Sequence, residues 1–134
     1  MTRHLAACLA LTVLLSACGS NGTPTSPDGR RVSTFNGTLD DPTRCTCGVG
    51  LGAFTVLPAS SGRLVATATV TPADAQLVVR LLDASLNTVY VVSKQTGNKA
   101  TLSFDVAAGT YGMQVFLASD GPRQASYSLT VTYP

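Results

Sequence analysis

The sequence predicts an all-β chain with a single antiparallel β-sandwich. Three observations carry this: apolar residues alternate with polar ones at period two, the alternating runs are short and evenly spaced, and Gly, Pro, Asn and Asp punctuate the gaps. No stretch keeps a helical period for ten residues. Runs with one apolar face need a second sheet to cover that face, which favours a sandwich over an open sheet.

Eight strand candidates follow one another from Val32. The first is Val32 to Leu39 and the second Ala53 to Leu57. Arg63 to Thr71 sets Leu64, Ala66, Ala68 and Val70 on one face and Thr67, Thr69 and Thr71 on the other. Ala75 to Leu82 is almost continuously apolar, as expected of a strand covered on both faces, and Arg80 interrupts it. Thr88 to Lys94 follows, then Ala100 to Val106 with Leu102, Phe104 and Val106 in phase. Thr110 to Ala118 aligns Tyr111, Met113, Val115 and Leu117, and Gln124 to Tyr133 aligns Tyr127, Leu129, Val131 and Tyr133. Turn chemistry separates them at Asp40-Asp41-Pro42, Ser60-Ser61-Gly62, Asp83 to Asn87, Gln95 to Lys99 and Ala108-Gly109.

The amino terminus follows a different logic. A short basic start with Arg3 precedes an apolar run from Leu5 to Leu15, too short for a hydrocarbon core that needs roughly 20 residues. Small residues follow it, the anatomy of a secretory signal. Leu15-Ser16-Ala17-Cys18 resembles the lipobox of bacterial lipoproteins. The resemblance implies a thioether-linked diacylglycerol on Cys18, cleavage of residues 1–17 and acylation of the new amino terminus. Several acyl chains make a stable anchor where one is marginal. Gly19 rather than Asp follows Cys18, so the resemblance points to the outer membrane of the cell envelope. Residues 18–31 read as the lipidated cysteine and a tether, because GSNGTPTSPDGRR lacks apolar periodicity; its flexible part would span roughly 20 Å. The domain proper is then 32–134.

Processing would leave 117 residues, sufficient for one small domain. These carry eight Lys and Arg against seven Asp, a near balance that does not suggest a nucleic-acid partner. His4, the sole histidine, lies in the signal segment, and Glu and Trp are absent. The mature chain therefore lacks an imidazole base or metal ligand, and the expectation is that it is not an enzyme. Ser93-Lys94 and Lys99 do not resemble a Ser-Lys catalytic motif.

The closing strands carry a pattern. Ala107-Ala108-Gly109-Thr110-Tyr111 and Val115 precede Ser126-Tyr127-Ser128-Leu129-Thr130-Val131, with Phe35-Asn36-Gly37-Thr38-Leu39, Phe54-Thr55-Val56 and Leu77 to Asp83 upstream. Together they resemble bacterial pre-peptidase C-terminal domains over residues 32–134. The resemblance implies a jelly-roll-like sandwich, and some such domains bind calcium or insoluble polymers. The chain departs from the pattern by lacking a preceding peptidase, by its lipobox, and by Gly112 where a bulkier residue is common.

Candidate chemistry is sparse. Cys45 and Cys47 are the pair left after processing, and export permits a disulfide. Two cysteines two apart would close a strained ring, and two thiolates make only half of a tetrahedral zinc site; a structural or inert pair is the ordinary reading. Asp40 and Asp41, with Asn36 nearby, form the richest oxygen cluster and a candidate calcium site, although Asp before Pro42 is also ordinary turn chemistry. Tyr111, Tyr127 and Tyr133 fall in apolar phases and read as core, Tyr90 is ambiguous, and the lack of Trp weakens a sugar-stacking platform. Arg80 is either an anion ligand or an arginine whose stem covers apolar surface. The functional expectation is a membrane-anchored, non-catalytic binding module of the envelope whose ligand is calcium, an extracellular polymer or an envelope protein. The alternative is a small assembly lipoprotein without a small-molecule ligand.

Overall fold

The computed structural model describes residues 25–40, 50–118 and 121–134. Among the described residues, nine strands form two antiparallel sheets: β1 (Arg31–Asp40), β2 (Gly52–Val56), β3 (Gly62–Thr71), β4 (Leu77–Asp83), β5 (Val89–Val92), β6 (Lys94–Thr96), β7 (Lys99–Val106), β8 (Tyr111–Leu117) and β9 (Gln124–Tyr133). One sheet runs β1-β9-β3-β7-β6 and the other β2-β8-β4-β5. The sandwich read from period-two alternation is the fold observed.

The expected inward rows meet between the sheets. Leu64, Ala66, Ala68 and Val70 of β3, Leu102 of β7 and Leu129 and Val131 of β9 face Val79 and Leu81 of β4 and Met113 and Val115 of β8, all of them buried. Truncating a side chain such as Leu129 to alanine there costs about 2–5 kcal/mol, since the cavity adds to the lost transfer energy. Tyr127 and Tyr133 are core residues, as their phase required. Tyr90 is the exception: it is 43% exposed and closes one end of the core by stacking on Phe104 (5.4 Å between centroids) and meeting Tyr111 edge-on (5.9 Å). Phe35 stacks on Phe54 at 4.3 Å.

Three expectations change. Thr88 to Lys94 is not one strand: β5 ends at Val92 and the chain crosses to the other sheet as β6. Side chains bridge the crossing. Val79 N donates to Ser93 Oγ (2.9 Å), Leu77 N donates to Gln95 Oε1 (2.7 Å), and Gln95 Nε2 donates to Ala75 O (2.8 Å) and Gly97 O (2.9 Å). They take the place of a neighbouring backbone where β4 extends past β5. Second, the outer face of β4 is covered only at Leu82; Val78 and Arg80 on that face stay partly exposed. Third, the end of the supposed tether is structured. Thr25 bridges Arg31, Gly29 adopts φ 79° in the intervening turn, and the Arg30 guanidinium donates to Arg63 O.

Gly109 performs as its sequence context requires. Its φ of 152° is disfavoured for other residues, its N–H donates to Pro58 O (3.1 Å), and the Tyr111 hydroxyl two residues on accepts from Ala107 N (3.1 Å).

Candidate functional site

The two outer faces differ in chemistry. On the five-stranded sheet, cross-strand rows read Thr38, Ser126 and Thr71, then Asn36, Ser128, Thr69 and Lys99, then Thr34, Thr130, Thr67 and Thr101, then Val32, Thr132, Val65 and Ser103. Apart from the two valines these are polar groups that suit a strand face in water, which alternation produces whenever one side is core.

The four-stranded sheet turns a different set outward. One row crosses it as Val92, Arg80, Gln114 and Ala53. Beside it Val78 pairs with Phe116, and on the other side lie Val89, Leu82, Gly112 and Thr55. Arg80 is the sole charge in these rows. Leu82 is 2% exposed although it belongs outside the inter-sheet core, and Leu86 from the β4–β5 turn lies over the neighbouring Gly112. A Cβ at 112 would overlap the end of the Leu86 side chain, which would have to shift to admit it. Leu51, Leu86, Val89 and Val92 are each 43–46% exposed. Exposed apolar groups on one sheet face are more informative than scattered ones.

Arg80 is the centre of this face. Its guanidinium carbon sits 4.5 Å from the centroid of Phe116, a cation–π contact worth about 0.5–2 kcal/mol. Its Nε–H is shut off from solvent without a hydrogen-bond partner. An unpaired buried donor costs about 1–3 kcal/mol. Among the described residues neither Nε nor the terminal nitrogens has an acceptor, and the terminal nitrogens remain open to solvent. Gly50, Leu51, Arg80, Gln114 and Phe116 line a shallow depression of about 470 Å³. A smaller depression of about 180 Å³ lies at the Leu86 end, over Ala53, Thr55, Tyr111 and Gly112. The Arg80 stem covers apolar surface, as one of its two readings expected, and no counter-ion faces its head among the described residues.

The nearby Asp83 carboxylate is committed elsewhere. Its Oδ1 accepts from Asn87 N (2.9 Å) and Thr88 N (3.2 Å), and its Oδ2 from Ser85 Oγ (2.9 Å). The backbone bond from Thr88 is the foremost cause of its acidity below the ordinary 3.8. It fixes the turn in which Leu86 adopts φ 61°. Burial raises the Tyr127 phenol above its ordinary value.

The sequence-derived site residues fare unevenly. Cys18, Asp41, Cys45 and Cys47 lie outside the described residues. Asn36 and Asp40 are on the same outward side of β1, four residues apart. At about 3.3 Å per residue their backbones are separated by roughly 13 Å, too far for both side chains to ligate one calcium ion. Asp40 Oδ1 instead accepts from Gln124 Nε2 across the strand pair (2.8 Å). Among the described residues, His, Cys, Asp and Glu form no group of three placed to hold a metal. Sequence reasoning found Arg80 but missed Phe116 and the exposed valines of β5, because alternation does not reveal which outward residues share a face across strands.

No protein-family model matches the sequence, and no curated protein matches it. Solved structures do match. The pre-peptidase C-terminal domain of collagenase from Bacillus anthracis superposes with a TM-score of 0.61 at 19% identity, covering 74% of this chain and 87% of that one. PliG of Aeromonas hydrophila, a periplasmic inhibitor of g-type lysozyme, gives 0.53 at 13% identity over 81% and 91%. The Yersinia pseudotuberculosis-derived mitogen gives 0.52 at 16% identity over 77% and 86%. At these identities the likeness is one of fold, and the chain is a β-sandwich of the kind seen in the pre-peptidase C-terminal domain.

Proposed function

We propose that the chain is a non-catalytic interaction module of the bacterial cell envelope, tethered to the membrane by lipid on Cys18, and that it engages its ligand through the outer face of the four-stranded sheet. One observation carries the reading: the outer face of the five-stranded sheet is mostly hydroxyls, with Val32 and Val65 as its apolar members, whereas the four-stranded sheet presents Val78, Val92 and Phe116 around an arginine without an acceptor among the described residues. The lipobox supports the anchor, and the fold supports a pre-peptidase C-terminal-like domain. A histidine-free mature chain supports a binding role over a catalytic one.

The test is cysteine accessibility in a Cys45→Ser/Cys47→Ser background. Single cysteines replace Thr55 or Val92 on the apolar face and Thr67 or Ser128 on the hydroxyl face. Positions 55 and 92 are expected to resist a maleimide in isolated envelopes and to react in the purified lipoprotein, while 67 and 128 react in both. Equal reactivity of all four in envelopes would refute the docking face.

A further inference from the structure

We infer that the occupant of the four-stranded face is a different protein, which places a carboxylate on Arg80 within an apolar contact. The inference rests on the docking face proposed above and deepens it by naming the partner's chemistry.

Charge complementarity is the first argument. The terminal nitrogens of Arg80 are open and lack an acceptor among the described residues, and the rows around them hold no Asp or Lys. Phe116 holds the guanidinium from one side, so the fork is presented in a fixed orientation. A carboxylate matches that fork with parallel N–H···O bonds. The second argument is composition. An arginine on an aromatic ring, ringed by Leu51, Val78 and Val92 and free of lysine and acid, has the make-up of a protein-interface centre. Gln114 lies beside Arg80 and adds an amide that can pair with a partner's backbone.

The third argument disfavours a second copy paired through Arg80. A two-fold axis at Arg80 sets its guanidinium against the copy's, and the rows of this face hold no acid among the described residues to separate them. Two unpaired guanidiniums desolvated together repel, so an isologous dimer here is unfavourable.

The experiment uses the full-length lipoprotein in its own cells. A photoreactive benzoylphenylalanine replaces Val92 or Thr55 on this face, or Thr67 on the opposite face, and adducts are identified by mass spectrometry. The expected result is a cross-link from positions 92 and 55, but not 67, to one protein species at an Asp- or Glu-bearing patch. Arg80→Glu and Arg80→Gln should cut its yield by about tenfold or more, the effect of losing roughly 1.4 kcal/mol, and Arg80→Lys by less. Reversing the partner's carboxylate to arginine should restore the cross-link to Arg80→Glu. Unchanged melting temperatures separate these effects from misfolding.

A cross-link to another copy of this chain, to lipid alone or to polysaccharide alone would overturn the protein partner while leaving the docking face intact. The same adduct with undiminished yield in Arg80→Glu, or without rescue by charge reversal, would overturn the carboxylate. No adduct from either face position would overturn both this inference and the docking face.

Discussion

Replacing Gln95 by alanine tests whether a side chain carries the crossing between sheets. In the native chain this amide satisfies Leu77 N, Ala75 O and Gly97 O at 2.7, 2.8 and 2.9 Å. Each bond contributes about 0.5–1.5 kcal/mol net, and the deserted backbone groups are only partly open to water, so the expected loss is about 2–3 kcal/mol. For a domain of this size that lowers the melting temperature by roughly 10–20 °C. The assay is thermal and urea unfolding followed by far-UV circular dichroism on the chain freed of its lipid segment. Gln114→Ala serves as control: its amide lies on the outer face and supports no backbone group among the described residues, so it should change stability by less than about 0.5 kcal/mol. Ser93→Ala, which loses the bond from Val79 N, should fall between the two. If Gln95→Ala matched Gln114→Ala, water would be satisfying Leu77 N and Ala75 O, and the bridging role assigned to Gln95 would be wrong.

Further outcomes concern the core, the turn, calcium and the anchor. A Cβ at Gly52 would approach the Tyr127 hydroxyl at 2.8 Å, and one at Gly37 the Tyr127 ring at 2.9 Å. Gly52→Ala and Gly37→Ala should each cost about 1–3 kcal/mol by overpacking, and Tyr127→Phe should relieve the first far more than the second in a double-mutant cycle. The Asp83 pKa is depressed in the folded state, so its contribution is present above the ordinary 3.8 and is lost as pH falls through the lower folded value. Protection of the Asn87 and Thr88 amides, relative to their intrinsic exchange rates, should therefore fall only as the pH drops below the ordinary 3.8, and Asp83→Asn should flatten that dependence. Because Asn36 and Asp40 do not converge, excess calcium should leave the melting temperature within about 2 °C of its value in chelator. A rise of roughly 10 °C would instead implicate the stretch containing Asp41. Cys18→Ala should move the protein out of the membrane fraction, and retention there would remove the lipid anchor from the account.

Much of the fold is legible locally. The strand from Arg63 to Thr71 emerges as β3 within one residue, and Leu64, Ala66, Ala68 and Val70 are all buried. Alternation works there because each strand has one side in the core and one in water. It fails where a strand leaves its sheet. Val91, Val92, Ser93 and Lys94 look continuous, but the break at Ser93 depends on β4 outrunning β5, a relation between distant segments. Likewise the apolar run of β4 suggested cover on both faces, when its second face is covered only at Leu82.

The amino-acid sequence by itself determined the alternation of most strands and the turn at Gly109, because these depend on residue type and local spacing. Only the tertiary structure decided that Arg80, Phe116 and Val92 share one face, with no acceptor for the arginine among the described residues. Strand register sets that arrangement, and register follows from which sheets pack together rather than from any one strand's composition.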